Sequence, residues 1–364
     1  MRIKEILSYI EEKVPKSLKE DFDNVGLLVG NNNSECSGVL ITLDVTHEIL
    51  EEAISKKCNL IISHHPIIFK GLKSITESDS IGQLVIKAIQ QGIAIYAMHT
   101  NLDNAPFGVS KILADKLGLQ NTTVLHPFEK GLKKLVTFCP KDHVANVRQA
   151  LFSAGAGHIG NYDSCSYNTE GFGTFRALEN TNPFVGEKGK LHTEAETRIE
   201  VIYEAYQEST ILKTLFSAHP YEEVAFDCIS ITNKGGKAGL GIIGELPETI
   251  SFEEFSSHLK KILGIPFIKY SKALDKPVKK IALCGGSGSS FILDAVHSGV
   301  DIYITGDLKY HDFQSAEDKL ILIDGGHYET EQFAKEIIYL LISEKFSNFA
   351  ILISENNTNY TRYL

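Results

Sequence analysis

From about residue 38 the chain alternates short, unbroken apolar runs with longer stretches in which apolar residues recur every three or four positions. The runs SGVLITLDV, NLIISHH and IAIYAMHTNLD predict strands, and the stretches THEILEEAISKK, DSIGQLVIKAIQQG and GVSKILADKLGL predict the amphipathic helices that follow them. A strand that is apolar at every position is buried on both faces, and helical crossovers join parallel neighbours. The first hundred-odd residues therefore predict a mostly parallel α/β layer. Ahead of it, MRIKEILSYIEEKVPKSLKE threads charges through apolar positions at helical spacing. It predicts an ordinary first helix and lacks the apolar core and small-residue cleavage site of a signal peptide.

The rhythm changes near residue 130. KKLVTFCP predicts a strand, KDHVANVRQALFSAG a helix, SCSYNTEGFGTFRAL and RIEVIYEAY two strands of alternating polarity, ESTILKTLFSAH a helix and EVAFDCISI a last strand. That order, βαββαβ, predicts an inserted α+β ferredoxin-like domain. After the Gly/Lys-rich NKGGKAGLG the α/β rhythm returns with KKIALCGG, SSFILDAVHSG, VDIYITGD, LILIDGGH, a long helix ETEQFAKEIIYLLISEK and a closing strand FAILISE. One α/β domain formed by both ends of the chain, 1–128 and 236–364, with an insert at 129–235, is the expected organisation.

Length agrees with this, since 364 residues exceed one ordinary domain and suit two. No apolar run reaches the roughly 18 residues of a membrane span, and the expectation is a soluble cytoplasmic protein. The six cysteines (Cys36, Cys58, Cys139, Cys165, Cys228 and Cys284) form no C-x-x-C pair or zinc-type spacing. They predict reduced thiols, most of them buried in strand-like runs. A net charge of −10 with no Lys/Arg cluster argues against broad nucleic-acid binding.

In parallel α/β sheets ligands gather at the carboxyl ends of strands, and four such ends here carry imidazoles and carboxylates. NLIISHH ends in His64 and His65, IAIYAMHTNLD in His99 and Asp103, IYITGD in Asp307, and LILIDGGHYETE in Asp324, His327 and Glu331. His327 and Glu331 stand at i and i+4 of a predicted helix start and share a face. His64 and His65 would face opposite ways in a regular strand, but Pro66 ends the strand and lets both rings turn to one place. Imidazole and carboxylate without cysteine suit Zn, Fe, Mn or Co. Five such groups exceed the needs of one tetrahedral ion, and a bridging carboxylate between two divalent ions is used by many hydrolases.

Weaker signals stand beside these. CGGSGSSF, from Cys284 to Phe291, is either a tight packing turn or an anion site, and it matches neither the dinucleotide fingerprint nor the P-loop. YITGDLKYHDF places Asp307 and His311 at the same edge, as supporting partners, a proton shuttle or surface groups. DFDNVGLLVG, from Asp21 to Gly30, is a pocket-lining loop or a plain turn.

DNVGLLVG, SHHPIIF, YAMHTNLDNAPFGV, HPYEEVAFDCI, CGGSGSS, YITGDLKYHD and DGGHYETE occur in an order that resembles the NIF3 family, the GTP cyclohydrolase 1 type 2 homologs, over essentially the whole chain. The resemblance implies a NIF3-like α/β domain with a PII/CutA-like insert, as in the longer bacterial members. It also implies two metal ions per chain on His64, His65, Asp103, His327 and Glu331, the residues that spacing selects, and a toroidal homohexamer built as a trimer of dimers. His99, Asp307 and His311 match family motif positions and are the candidate catalytic residues. The function expected is a dinuclear hydrolase of a small nucleotide or phosphorylated metabolite; the alternative is a metal-binding regulatory or metabolite-sensing ring without turnover.

Overall fold

Every position of the strands Val39–Thr42, Leu60–Ser63 and Ala94–Ala97 is buried, as unbroken apolar runs require. The computed structural model describes residues 1–128, 131–233, 235–272, 276–316 and 318–363. It divides into two compact units, one made of residues 1–128 and 237–364, the other of residues 129–236. Among the described residues the architecture is mixed α/β with three sheets.

In the larger unit the first sheet runs in the order Gly26–Val29, Ala94–Ala97, Leu60–Ser63, Val39–Thr42 and Ile351–Ile353. Its last four strands are parallel, and Gly26–Val29 pairs antiparallel at the edge. The second sheet has the order Lys269–Tyr270, Ile321–Asp324, Ile302–Thr305, Val278–Leu283, Gly239–Ile250 and Gln120–Pro127. Only its three central strands are parallel. The layer is therefore less uniformly parallel than the apolar rhythm predicts. The antiparallel strands Gln120–Pro127 and Gly239–Ile250 flank the inserted segment; the first, QNTTVLHP, is largely polar, and the second, GLGIIGELPETI, is interrupted by glycines and a proline, which hides both from a periodicity argument. The first helix, Ile3–Lys13, buries Ile3, Ile6, Leu7 and Ile10, the stripe its spacing predicts. The expected long C-terminal helix is two helices, His327–Glu331 and Ala334–Lys345.

In residues 129–236 the strand order is Tyr167–Arg176, Leu191–Glu204, Leu132–Pro140, Phe226–Ile231, all antiparallel. The helices Val144–Ser153 and Glu208–Ala218 bury Val147, Leu151, Ile211 and Leu215 against Leu135, Ile199 and Val201 of the sheet. His219, in the HPYEEVAF stretch, is a structural residue. Its Nε2–H donates to the Phe138 carbonyl at 2.9 Å and its Nδ1 accepts from the Tyr221 N–H at 3.1 Å. Cys36, Cys58, Cys139 and Cys284 are buried as expected, whereas Cys228 is exposed on an edge strand and Cys165 half-buried. Among the described residues no helix is long and apolar enough to cross a membrane.

Candidate metal centre

The strand Leu60–Ser63 stops one residue short of the histidines, so neither ring is bound to the alternation of a strand. The His64 and His65 rings lie 5.1 Å apart at 44°. Each of four imidazoles is anchored through Nδ1. His64 donates to the Met98 carbonyl at 2.8 Å, His65 to Asp44 Oδ1 at 2.7 Å, His99 to Asp23 Oδ1 at 2.8 Å and His327 to Asp307 Oδ2 at 2.7 Å. Fixing Nδ1 sets the tautomer and turns Nε2 toward a common point, as outer partners of metal-binding histidines do.

His64 Nε2 is the informative atom. It is buried without a hydrogen-bond partner, 3.7 Å from Asp103 Oδ1 and 3.8 Å from Glu331 Oε1. Glu331 Oε2 lies 2.9 Å from His65 Nε2 and 3.0 Å from His327 Nε2. Two donors held at about 2.1 Å from one ion stand about 3 Å apart at right angles, so these separations fit shared coordination. Among the described residues three sets of donor atoms lie within 4.8 Å of one another: His64, His65 and His99; His65, His327 and Glu331; His64, Asp103 and Glu331. An orphaned buried nitrogen, anchored imidazoles and N/O donors together fit a divalent ion.

A model of the Duf34/NIF3 (NGG1p interacting factor 3) family matches residues 1–360. The chain belongs to the Duf34/NIF3 family. It is similar to a protein called GTP cyclohydrolase 1 type 2 homolog from Halalkalibacterium halodurans, with 39% identity over 97% of this chain and 96% of that one. The protein of the same name from Bacillus subtilis is 37% identical over 99% and 98% of the two chains. Among solved structures, a Bacillus cereus protein related to NIF3 superposes with a TM-score of 0.86 at 40% identity, covering 100% of this chain and 99% of its own.

In this NIF3 family member the electrostatics follow from crowding. Burial works against charge on His65, but hydrogen bonds with Asp44 and Glu331 outweigh it and raise the ring to about 10. His327 is raised to about 9 in the same way, against burial, by Glu331 and Asp307. Burial pushes the Asp103 carboxyl up, while the three imidazoles around Glu331 overcome its burial and hold it well below the carboxylate range. Asp23 is held at about 2, against its burial, by His99 and Thr100.

The five residues expected as ligands come together, and so does His99, whose ring is 5.3 Å from His64 and 5.5 Å from His65. Asp307 reaches the cluster through His327 from left-handed backbone at φ 58°. His311 does not reach it: the ring is exposed and lies against Tyr310, 5.2 Å away. Asp324 instead accepts from Lys269 at 2.8 Å and from the Leu308 N–H at 3.3 Å. Two anchoring carboxylates escape the sequence reading. Asp44 follows the strand Val39–Thr42, so the strand-end rule would have found it, and Asp23 lies in the DFDNVG stretch.

The glycine-rich turn has a definite occupant. The N–H groups of Gly285, Gly286 and Gly288 donate to the hydroxyls of Ser110, Thr330 and Thr305 at 3.2, 3.0 and 2.8 Å. A β-carbon on Gly286 would stand 2.0 Å from Glu331 Oε1. The turn packs around the Glu331 carboxylate, and those three amides are already used within the protein.

Proposed function

We propose that this protein is a dinuclear, metal-dependent hydrolase acting on a small nucleotide or phosphorylated metabolite. The observation that carries the reading is the position of Glu331, which belongs to one donor set with His65 and His327 and to another with His64 and Asp103. His64, His65, Asp103, His327 and Glu331 would hold two ions with Glu331 between them. Zn, Fe, Mn and Co all suit such a set. Divalent ions there would supply Lewis acidity for hydrolysis. Asp44 and Asp307 keep the His65 and His327 rings oriented, and His99, with Nδ1 given to Asp23, has Nε2 free to take or deliver a proton. A cavity of about 350 Å³ lined by Asp44, His47, His65, Ile81 and Tyr360 offers room for a small ligand beside His65.

The name of the curated relatives puts GTP first among substrates to assay. The strand order of residues 129–236 supports reading that unit as ferredoxin-like, and the family likeness supports a cytoplasmic ring of six copies. Elemental analysis of protein purified without added metal or chelator, followed by assay against GTP and a panel of phosphoesters, tests the function. Two ions per chain with turnover that His327→Ala abolishes are expected; full metal content and turnover in that variant would remove the assignment. Two ions with no turnover would favour the sensing alternative.

A further inference from the structure

One of the candidate donor sets draws its members from two sheets. His65 follows the strand Leu60–Ser63 of the first, whereas His327 and Glu331 lie on the helix that follows Ile321–Asp324 of the second. His65 Nε2 stands 2.9 Å from Glu331 Oε2 and 3.3 Å from His327 Nε2. Metal–ligand distances tolerate only about 0.2 Å, so a small shift of one sheet against the other would spoil this set. Packing between the sheets is one restraint on such a shift, and a second lies at the site itself.

Residues 354–363 form no helix or strand, and a terminus of that kind frays unless it is tied down. Residues 355–357 and 360–362 are exposed, yet Thr358 between them is buried. Its hydroxyl donates to Asp44 Oδ2 at 2.9 Å, while Oδ1 of the same carboxylate holds His65 Nδ1 at 2.7 Å. The next residue bonds the other half of the donor set. Asn359 Nδ2 donates to Glu329 Oε1 at 2.8 Å, and the Tyr363 hydroxyl donates to the same oxygen at 2.9 Å. Glu329 is buried, between His327 and Glu331 on their helix. Adjacent residues of one segment thus bond a carboxylate on each side of the donor set. A carboxylate held by one oxygen turns easily about its Cβ–Cγ bond; a donor on the second oxygen fixes its plane and, at Asp44, the bond that orients His65.

We propose that the C-terminal segment is a clasp on the candidate metal centre. Thr358 and Asn359 are positioning residues that hold the His65 half and the His327–Glu331 half together, so that docking of the segment and binding of metal strengthen each other. The proposal rests on the metal-binding part of the functional reading and is independent of turnover. Coupling of this kind is reciprocal: whatever factor the clasp adds to metal affinity, metal adds to the docking of the segment.

Cobalt(II), which suits such donors and absorbs visible light, is the probe. The full chain and its variants are loaded, their metal content is measured, and the ion is withdrawn with a chelator of known affinity. Thr358→Val keeps the shape of the side chain without its hydroxyl; it is expected to hold cobalt about 3–10-fold more weakly and to shift the visible band. Thr358→Ser should restore both, and Asn359→Leu should weaken binding to a similar extent. Ser354→Ala loses a bond from the same segment to Glu52, away from the donor set, and should bind as the parent does. Hydrogen exchange of the peptide covering 355–363 should slow on metal loading in the parent, and less so in Thr358→Val. Unchanged affinity in Thr358→Val or in Asn359→Leu overturns the role assigned to that residue and leaves the metal centre standing. Equal weakening in Ser354→Ala would reduce Thr358 to an anchor of the tail and overturn the clasp. A parent that takes up no cobalt overturns the metal reading together with the clasp. Should Thr358→Val not fold, Asn359→Leu and the exchange measurement on the parent decide.

Discussion

Gly286 adopts φ 63°, and the Glu331 carboxylate occupies the room that any side chain on it would need. Gly286→Ala is therefore expected to displace Glu331 from both donor sets and remove bound metal, while the left-handed backbone adds about 1 kcal/mol of strain. Elemental analysis reads the first effect and urea unfolding the second. Asp44→Asn alters no proposed ligand; it weakens the bond that orients His65. A loss of about 10–100-fold in metal affinity is expected, measured by competition with a chelator of known affinity. A variant that holds metal as tightly as the parent would show that His65 needs no anchor. At this scale the candidate ligands are legible because imidazoles and carboxylates at the ends of apolar strands have few other reasons to be there. Asp23 and Asp44 are less so: Asp23 lies in the loop ahead of the strand Gly26–Val29 and Asp44 is a single carboxylate after Val39–Thr42, and each reads as a turn residue until the ring it holds is visible. The role of Gly286 is not legible at all, because its neighbour in space is 45 residues away in sequence.

The segment after the strand Ile351–Ile353 is tied down by one helix residue. Glu52, on the helix His47–Ser55, accepts from the Ser354 hydroxyl at 2.5 Å, the Asn356 amide at 2.7 Å, the Glu355 N–H at 3.0 Å and Lys56 at 2.8 Å. Burial alone would raise its carboxyl, but these bonds prevail and hold it at about 2, below the ordinary 4.5. A depressed carboxyl stabilises the fold above its unfolded value and loses that contribution as the pH falls through its folded one. Glu52→Gln is expected to cost about 1–3 kcal/mol at pH 7, and the gap from the parent should close between pH 4.5 and 2 in urea titrations. A gap that is constant over that range would exclude the ionised carboxylate as its source. The same segment reaches the candidate metal centre, where the Thr358 hydroxyl donates to Asp44 Oδ2 at 2.9 Å. Element by element, strands buried on both faces were readable because nothing polar interrupts them. Gln120–Pro127 was not, because most of its positions are exposed or half-buried and its partner lies beyond the inserted segment.

At the scale of the whole molecule, the chain leaves and re-enters the larger unit at one place. Pro127 is in register with Gly239, and the Phe128 N–H donates to the Ala238 carbonyl at 3.0 Å. An Asn-Gly turn suits such an antiparallel pair, so joining Phe128 to Ala238 through one, without the intervening residues, is expected to give a cooperatively unfolding protein with the parent's metal content. Non-cooperative unfolding or loss of metal would mean that the larger unit depends on the insert. The larger unit itself is closed by chain segments far apart in sequence, since Ile351–Ile353 pairs in parallel with Val39–Thr42. During synthesis the first of these strands leaves the ribosome long before the second, and His64 and His65 long before Glu331. A nascent chain meanwhile presents an open sheet edge and half of a donor set. On the dinuclear reading, ions are taken up only by finished chains, and products stalled before Glu331 are both prone to aggregate and unable to hold the pair.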